Sequence, residues 1–243
     1  MAAAPDFEPA RLLDRITAAT ERLLEAAAGL SAADVRAPSL LPGWSRGHVL
    51  THVARNADGG RNLLTWARTG VETPEYPSMT ARAEQIEAGS GRSPEALIAD
   101  VRDSAAQFAA AYSRMPAEAW DHVVRWTAGE RYPVYRAADA RLTEVLIHHV
   151  DLAIGHTPDD WPPDFVEDLL RRSVASFNTR TDTPPTRLHA TDTDTRYDIH
   201  PTPGSPTVHG SQASLLAWLL GRPVAPVPAT KDGSPLPHLP ALG

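Results

Sequence analysis

One glutamate and one histidine, four positions apart, are the strongest candidates for chemistry in this 243-residue sequence. If their segment is a helix, Glu144 and His148 project from the same face. Such a pair can chelate a divalent ion when another helix supplies a third ligand, although a pair that only stabilises an exposed helix has the same spacing. The surrounding residues are apolar, and this favours an inward-facing pair and a metal site: Val145, Leu146, Ile147 and Val150.

A second pair with the same spacing, His48 and His52, provides two candidates for the third ligand. Ser45 fits the N-cap of a helix that runs to about Gly70. His48 lies in the first turn of that helix and suits a capping role. His52 lies one turn deeper, between apolar residues, and suits a ligand.

The segment Gly43–Gly47 also matches G-x-S-x-G, the nucleophile elbow of α/β-hydrolases. That motif requires a strand before the serine and a parallel sheet around it. Two prolines in residues 36–42 make a poor central strand. The segment is therefore better explained by Ser45 as an N-cap.

Arg222 follows Gly221, which is expected to end a helix, and it allows two interpretations. A cation at this position could simply oppose the negative end of the helix dipole. It could also clamp a substrate carboxylate. From spacing alone the first interpretation is favoured.

Four segments with helical spacing of apolar residues predict an antiparallel four-helix bundle. The first contains Leu12, Ile16 and Leu23, and the others cover about 45–70, 93–115 and 138–155. The polar stretch 72–92 is expected to be a long connection. A shorter helix should follow Pro162-Pro163, which completes a helical domain at residues 1–180.

Residues 181–243 differ in character and predict a small α/β domain. Short strands are expected at 187–191, 196–200 and 207–209, followed by a helix over 211–220. Prolines are frequent from residue 201 onward, so the tail after Val224 should be mostly irregular.

The composition of the chain argues against several classes of function. The net charge of −7 argues against nucleic-acid binding, which needs a cationic surface. Without cysteine there is no disulfide or thiolate ligand, so any thiol used in chemistry must come from a small molecule. No apolar run could span a membrane and no secretory signal is visible, so we expect a cytoplasmic protein.

Three separated segments resemble the mycothiol-dependent maleylpyruvate isomerases, a family within the DinB-like metal-binding bundles. They are residues 41–57 (LPGWSRGHVLTHVARNA), residues 141–152 (RLTEVLIHHVDL), and residues 209–222, which begin HGSQ and end WLLGR. The resemblance follows the chain order over nearly its whole length. It implies a mainly α protein: a DinB-like antiparallel four-helix bundle followed by a small α/β domain.

The resemblance also implies a site and an activity. His52, Glu144 and His148 would bind a divalent metal, expected to be zinc, with Arg222 and Arg82 as substrate-side arginines. A thiolate from mycothiol would add to maleylpyruvate, the bond would rotate, and elimination would give fumarylpyruvate in the gentisate pathway of aromatic catabolism. The expected partners are the thiol and a small carboxylate substrate, in a monomer or homodimer. A mycothiol S-transferase and a non-catalytic metal- or thiol-binding bundle are the alternatives.

Overall fold

The computed structural model describes residues 7–222, 225, 227–230 and 233–241, and the chain divides into two compact units. The units are Met1–Ile154 and Gly155–Gly243, whereas the sequence analysis expects a boundary after residue 180. The difference comes from one helix, Pro163–Phe177, which packs on the helix and sheet of the second unit. Its apolar stripe marks it as half-buried but does not indicate which core it faces.

Four long helices of the first unit form the bundle that the sequence predicts. They are α1 (Pro9–Ala27), α3 (Arg46–Thr69), α5 (Pro94–Tyr112) and α6 (Tyr135–Asp151), with the short α2 (Ala32–Arg36) between the first two. Both α1 and α3 pack against α5 and α6, so the four helices close a ring around one core. Its members include these fully buried residues: Leu23, Leu50, Leu64, Leu97 and Val145.

Local sequence determines where the bundle helices begin and end. Ser45 caps α3 with its hydroxyl oxygen, which accepts a hydrogen bond from the His48 N–H, and this confirms the predicted N-cap. At the other end, Gly70 has a φ of +73°, in the left-handed region that ends many helices. Ser93 caps α5 in the same way as Ser45, and Pro94 occupies its first position.

The stretch 72–92 is the long connection that the sequence predicts, but it is not without secondary structure. It contains a helix, α4 (Met79–Ser90), which is capped by Ser78 and packs on α3. Within α4 only Ile86 and Ser90 are buried, so its apolar periodicity is too weak to identify it from the sequence. Arg82 therefore lies in the first turn of a helix rather than in a loop.

A short antiparallel hairpin, also not predicted, holds the segment that leads into α4. Its strands are β1 (Val123–Arg125) and β2 (Arg131–Pro133). At its tip, the Oγ1 atom of Thr127 accepts a hydrogen bond from the Tyr76 N–H, and the Thr127 N–H donates to the Glu75 carboxylate, each at 3.1 Å. These reciprocal bonds fix the segment before α4 to the hairpin.

The second unit is the small α/β domain that the sequence predicts. Its strands are β3 (Thr186–Ala190), β4 (Thr195–Ile199), β5 (Thr207–Gly210) and β6 (Ala229–Thr230), in the sheet order β4-β3-β5-β6. The β3–β5 pair is parallel and the other pairs are antiparallel. The helices α7 (Pro163–Phe177) and α8 (Gln212–Leu219) pack on each other and on the sheet.

The tail after Val224 is irregular over most of its described residues, apart from the two residues of β6. The remainder of this prediction lies outside the described residues. Among the described helices, none combines the length and the apolar character needed to cross a membrane.

Candidate metal centre

The close packing of α3 and α4 depends on glycine. A Cβ atom at Gly47 would collide with the backbone carbonyl of Ser90, and one at Gly89 would lie 2.5 Å from the Cγ2 atom of Thr51. Both contacts would be far shorter than the sum of the van der Waals radii, so neither position accepts a side chain unless the helices move apart. Gly47 is therefore explained by helix packing rather than by a nucleophile elbow.

The capping role expected for His48 is confirmed. Its Nδ1 atom accepts a hydrogen bond from the Ser45 N–H at 3.2 Å, while Nε2 lies 3.1 Å from the Glu87 carboxylate. Since Nδ1 accepts, the neutral ring carries its proton on Nε2 and donates it to Glu87. Both ring nitrogens of His48 are thus used in holding the start of α3 and its contact with α4.

His52, Glu144 and His148 converge on one point between α3 and α6. The His52 Nε2 atom lies 2.8 Å from Oε2 of Glu144 and 2.9 Å from Nε2 of His148, and the third side of this triangle is 3.2 Å. Two ligands of a tetrahedral zinc, each 2.0–2.1 Å from the ion, would be about 3.3 Å apart. The three ligand atoms therefore fit a single divalent ion.

Burial favours this interpretation. His52 is 3% exposed and His148 8% exposed, whereas the Glu144 side chain retains 31% exposure. Within the described residues, these three form the one cluster of His, Cys, Asp or Glu that could hold a metal ion. Three ligands with one partly open side are typical of a catalytic metal, which keeps a position for water or substrate.

Asp151 orients one of the histidines. It is fully buried, and its Oδ2 atom lies 2.8 Å from Nδ1 of His148. A carboxylate that accepts the Nδ1–H proton leaves the Nε2 lone pair for a metal. Asp151 is not among the residues predicted from the sequence, although its spacing of one helical turn from His148 is a signal that could have found it.

Arg82 reaches the same cluster from α4. Its Nη2 atom donates to Nδ1 of His52 at 3.0 Å, and its guanidinium lies 5.6 Å from the centroid of the Tyr76 ring. This contact requires a lone pair on Nδ1 and hence a proton on Nε2 of the neutral ring. A metal at Nε2 requires the opposite tautomer, so the Arg82 contact and metal coordination exclude each other.

The charges of the metal-free cluster follow from burial and from its carboxylates. Burial lowers the pKa of His52 to about 4, although Glu144 opposes this shift. Burial also disfavours the charged form of His148, but Asp151 and Glu144 outweigh it and raise the pKa of His148 to about 9. Burial likewise opposes ionisation of Glu144, yet hydrogen bonds from the two histidines hold its pKa well below its usual value. At neutral pH the cluster is therefore a carboxylate, an imidazolium and a neutral imidazole.

Two family models together match nearly the whole chain. The mycothiol maleylpyruvate isomerase N-terminal domain matches residues 3–153, and the C-terminal domain of the same family matches residues 160–241. The chain belongs to the mycothiol maleylpyruvate isomerase family.

Two solved structures agree with this membership of the isomerase family. A crystal structure of the mycothiol-dependent maleylpyruvate isomerase is 30% identical to the chain, with a TM-score of 0.91 and complete coverage of both chains. A structure of the H52A mutant of such an isomerase is 29% identical, with a TM-score of 0.90 and again complete coverage. A comparison with curated proteins returned no match.

Arg222, which the isomerase-family resemblance implies as a site residue, belongs to the second unit. Its backbone N–H donates to the Ala217 carbonyl at 2.8 Å, and its Nη1 atom donates to the Leu220 carbonyl at 2.6 Å. Gly221, with a φ of +73°, completes the end of α8 as predicted. These contacts place a cation at the negative end of α8, and the role of Arg222 toward a substrate stays a prediction.

Proposed function

We propose that this family member is a mycothiol-dependent isomerase that converts maleylpyruvate to fumarylpyruvate. The observation that carries the proposal is the convergence of His52, Glu144 and His148 within 4.8 Å in a chain of this family. The solved structures of similar fold are of mycothiol-dependent maleylpyruvate isomerase, which supports the same reaction here.

The residues present suit a divalent metal, and we propose zinc. Two imidazoles and a carboxylate are ligands that zinc commonly takes, and the chain contains no cysteine that would favour a thiolate site. When bound, the metal would act as a Lewis acid, which would lower the pKa of a coordinated thiol and so provide thiolate at neutral pH. The open side next to the partly exposed Glu144 is where a small-molecule thiol would enter.

The reaction itself needs no external oxidant or reductant. The thiolate sulfur forms a bond to one carbon of the cis double bond. The π electron pair of that double bond is displaced toward the neighbouring carbonyl, which becomes an enolate. Rotation about the resulting single bond follows. Collapse of the enolate restores the double bond in the trans form and expels the thiolate. The protein has to hold the substrate carboxylates and stabilise the enolate.

We assign these roles to Arg82 and Arg222. Arg82 is held at His52 by a single hydrogen bond that metal coordination of Nε2 excludes, so its guanidinium becomes available for a carboxylate. Arg222 lies just after α8, where its Nη1 atom donates to the carbonyl of Leu220, and its guanidinium is the second candidate for a carboxylate. Guanidinium groups suit this task because they bind carboxylates through two parallel hydrogen bonds.

The test is turnover by the purified, zinc-loaded protein with and without mycothiol. We expect loss of maleylpyruvate and formation of fumarylpyruvate that require the thiol, and no turnover by His52→Ala. Arg82→Ala should keep the metal and lose turnover. If a stable thiol conjugate accumulates in the mass spectrum and no fumarylpyruvate forms, the protein is an S-transferase and the isomerase proposal is wrong. If neither product forms while thiol and metal bind, the bundle is not catalytic.

The proposal extends to the setting of the reaction. A gentisate-type catabolic pathway, a cytoplasmic location and a monomeric or homodimeric protein are predictions from the resemblance and the composition. Fractionation of cells and the mass of the purified protein in solution test the last two.

A further inference from the structure

A fully buried arginine lies next to the metal ligands and is not explained by the reaction. Arg141 is on α6, one turn before Glu144, and it is only 1% exposed. It is the largest of the fully buried side chains among the described residues. Burial lowers the pKa of Arg141 to about 10, which still leaves the guanidinium charged at neutral pH.

Its hydrogen bonds connect α6 to the part of α3 that carries His52. The Nη1 atom of Arg141 donates to the carbonyl of Val53 at 2.7 Å and to Oδ1 of Asn56 at 2.9 Å. Val53 directly follows His52 in the chain, and Asn56 lies one turn further along α3. Because one acceptor is a backbone carbonyl, the contact holds the helix itself rather than another side chain.

Stability alone does not account for an arginine at this position. Both acceptors are neutral, and no described residue accepts a hydrogen bond from Nε or Nη2 of Arg141, which are also buried. A buried charge with incomplete hydrogen bonding is costly, and an apolar residue of similar volume is often equally stabilising or better. What an apolar residue could not provide is a directional bond to the α3 backbone.

A second arginine makes the reciprocal contact on the other side of the cluster. Arg46, the first residue of α3, donates from Nε to the Leu152 carbonyl at 2.7 Å and from Nη2 to the Ala153 carbonyl at 3.0 Å, just beyond α6. Along both helices, the metal ligands therefore lie between the two arginine contacts. Since all three ligands are on α3 and α6, the separation of these two helices sets the size of the site.

We propose that Arg141 is a positioning residue for the metal centre, and that its bonds to Val53 and Asn56 hold His52 at the distance where it meets Glu144 and His148. The inference rests on the proposed metal centre but not on the identity of the substrate. It differs from a general role in stability because it predicts a loss of metal affinity without a loss of folding.

The experiment measures the zinc dissociation constant by competition with a chelator, together with urea unfolding of the metal-free protein. Arg141→Met keeps the volume and removes the bonds. We expect its zinc affinity to fall by roughly 10–100-fold, as for other residues that orient metal ligands. Its unfolding midpoint should be unchanged or higher. Arg141→Lys should recover part of the affinity, since an ammonium group can donate to the Val53 carbonyl.

Arg55→Met is the matched control. Arg55 lies one turn from His52 on α3, but its ion pairs are with Asp100 of α5 at 2.6 Å and with Asp58 of α3 at 3.2 Å, so neither of them joins α3 to α6. This variant should bind zinc as tightly as the wild type. The inference is overturned if Arg141→Met binds zinc with wild-type affinity, or if Arg55→Met loses as much affinity.

Two further outcomes are distinguishable. If Arg141→Met does not fold, the Asn56→Ala variant tests the positioning role instead, because it removes only one of the two acceptors. A several-fold loss of zinc affinity in that variant supports the positioning role, and wild-type affinity overturns it. If the wild-type protein binds no zinc at all, the proposed metal centre fails, and this inference fails with it.

Discussion

The Nδ1 atom of His148 lies 2.8 Å from the Oδ2 atom of Asp151, and this carboxylate is fully buried. Both residues are on α6, one turn apart, so the pair is local to one helix. A buried carboxylate at this position has a clear consequence for the proposed metal centre, because it fixes which nitrogen of His148 faces His52 and Glu144.

Asp151→Asn should therefore weaken metal binding without unfolding the protein. The amide keeps the shape of the carboxylate but loses the charge that favours the Nδ1–H tautomer of His148. We expect the zinc dissociation constant to rise by roughly 10–100-fold. Chelator competition measures it, and circular dichroism verifies the fold. Unchanged affinity would mean that Asp151 does not orient the ligand.

Each ligand substitution should abolish stoichiometric metal binding. His52→Ala, Glu144→Ala and His148→Ala each remove one of three donors, and two donors are too few for a tight zinc site. Metal analysis of the purified variants measures this. His48→Ala is the control, since both its ring nitrogens are used in capping and in the contact with Glu87. Full metal content in a ligand variant would show that the triad is wrong.

Ser45→Ala should reduce stability and spare the chemistry. The hydroxyl oxygen caps α3, so its loss is expected to cost about 0.5–2 kcal/mol in the free energy of unfolding. Urea denaturation measures the cost, and turnover at saturating thiol should stay near that of the wild type. Complete loss of turnover, with normal folding and metal content, would instead support the hydrolase interpretation of this segment.

The stability of the metal-free protein should depend on pH through His148 and His52. The pKa of His148 is raised to about 9, so between its unfolded value near 6.5 and about 9 the folded state binds more protons and stability falls as pH rises. The pKa of His52 is lowered to about 4, so below about 6.5 the unfolded state binds more protons and stability falls as pH decreases. These two groups therefore place the maximum near pH 6.5.

Urea unfolding of the metal-free protein between pH 6 and 9 tests the contribution of His148. A single proton accounts for a slope of up to about 1.4 kcal/mol per pH unit. His148→Ala should flatten the dependence in this range. The assignment is wrong if the variant and the wild type have the same slope.

Arg222→Ala should separate a substrate clamp from a helix-end cation. As a clamp, Arg222 pairs with a charge that develops in the transition state, so we expect kcat to fall by about 10²–10³-fold with fold and metal retained. Arg222→Lys should restore little, because an ammonium group cannot form the bidentate contact. As a helix-end cation only, its loss would cost well under about 1 kcal/mol of stability and leave kinetics unchanged. Wild-type kinetics in both variants would remove Arg222 from the site.

The sequence by itself determined those features that depend on local spacing. Glu144 and His148 are neighbours in space because they are one turn apart on a helix, and the cap at Ser45 places His52 at a fixed depth in α3. The four bundle helices and strands β3 to β5 also have clear apolar periodicity. The resemblance to the family, carried by residues 41–57 and 141–152, then supported His52 as the third ligand.

Only the tertiary structure decided how these elements meet. The helix α4 has almost no apolar stripe, and it packs where it does because Gly47 and Gly89 allow close approach to α3, which brings Arg82 to His52. The burial of Arg141 could not be predicted from the sequence either. Its hydrogen bonds are with Val53 and Asn56, which lie 88 and 85 positions before it in the chain. The apolar periodicity of a helix or strand indicates that one of its faces is buried, but it does not indicate which element covers that face. Contacts between distant segments depend on which element that is.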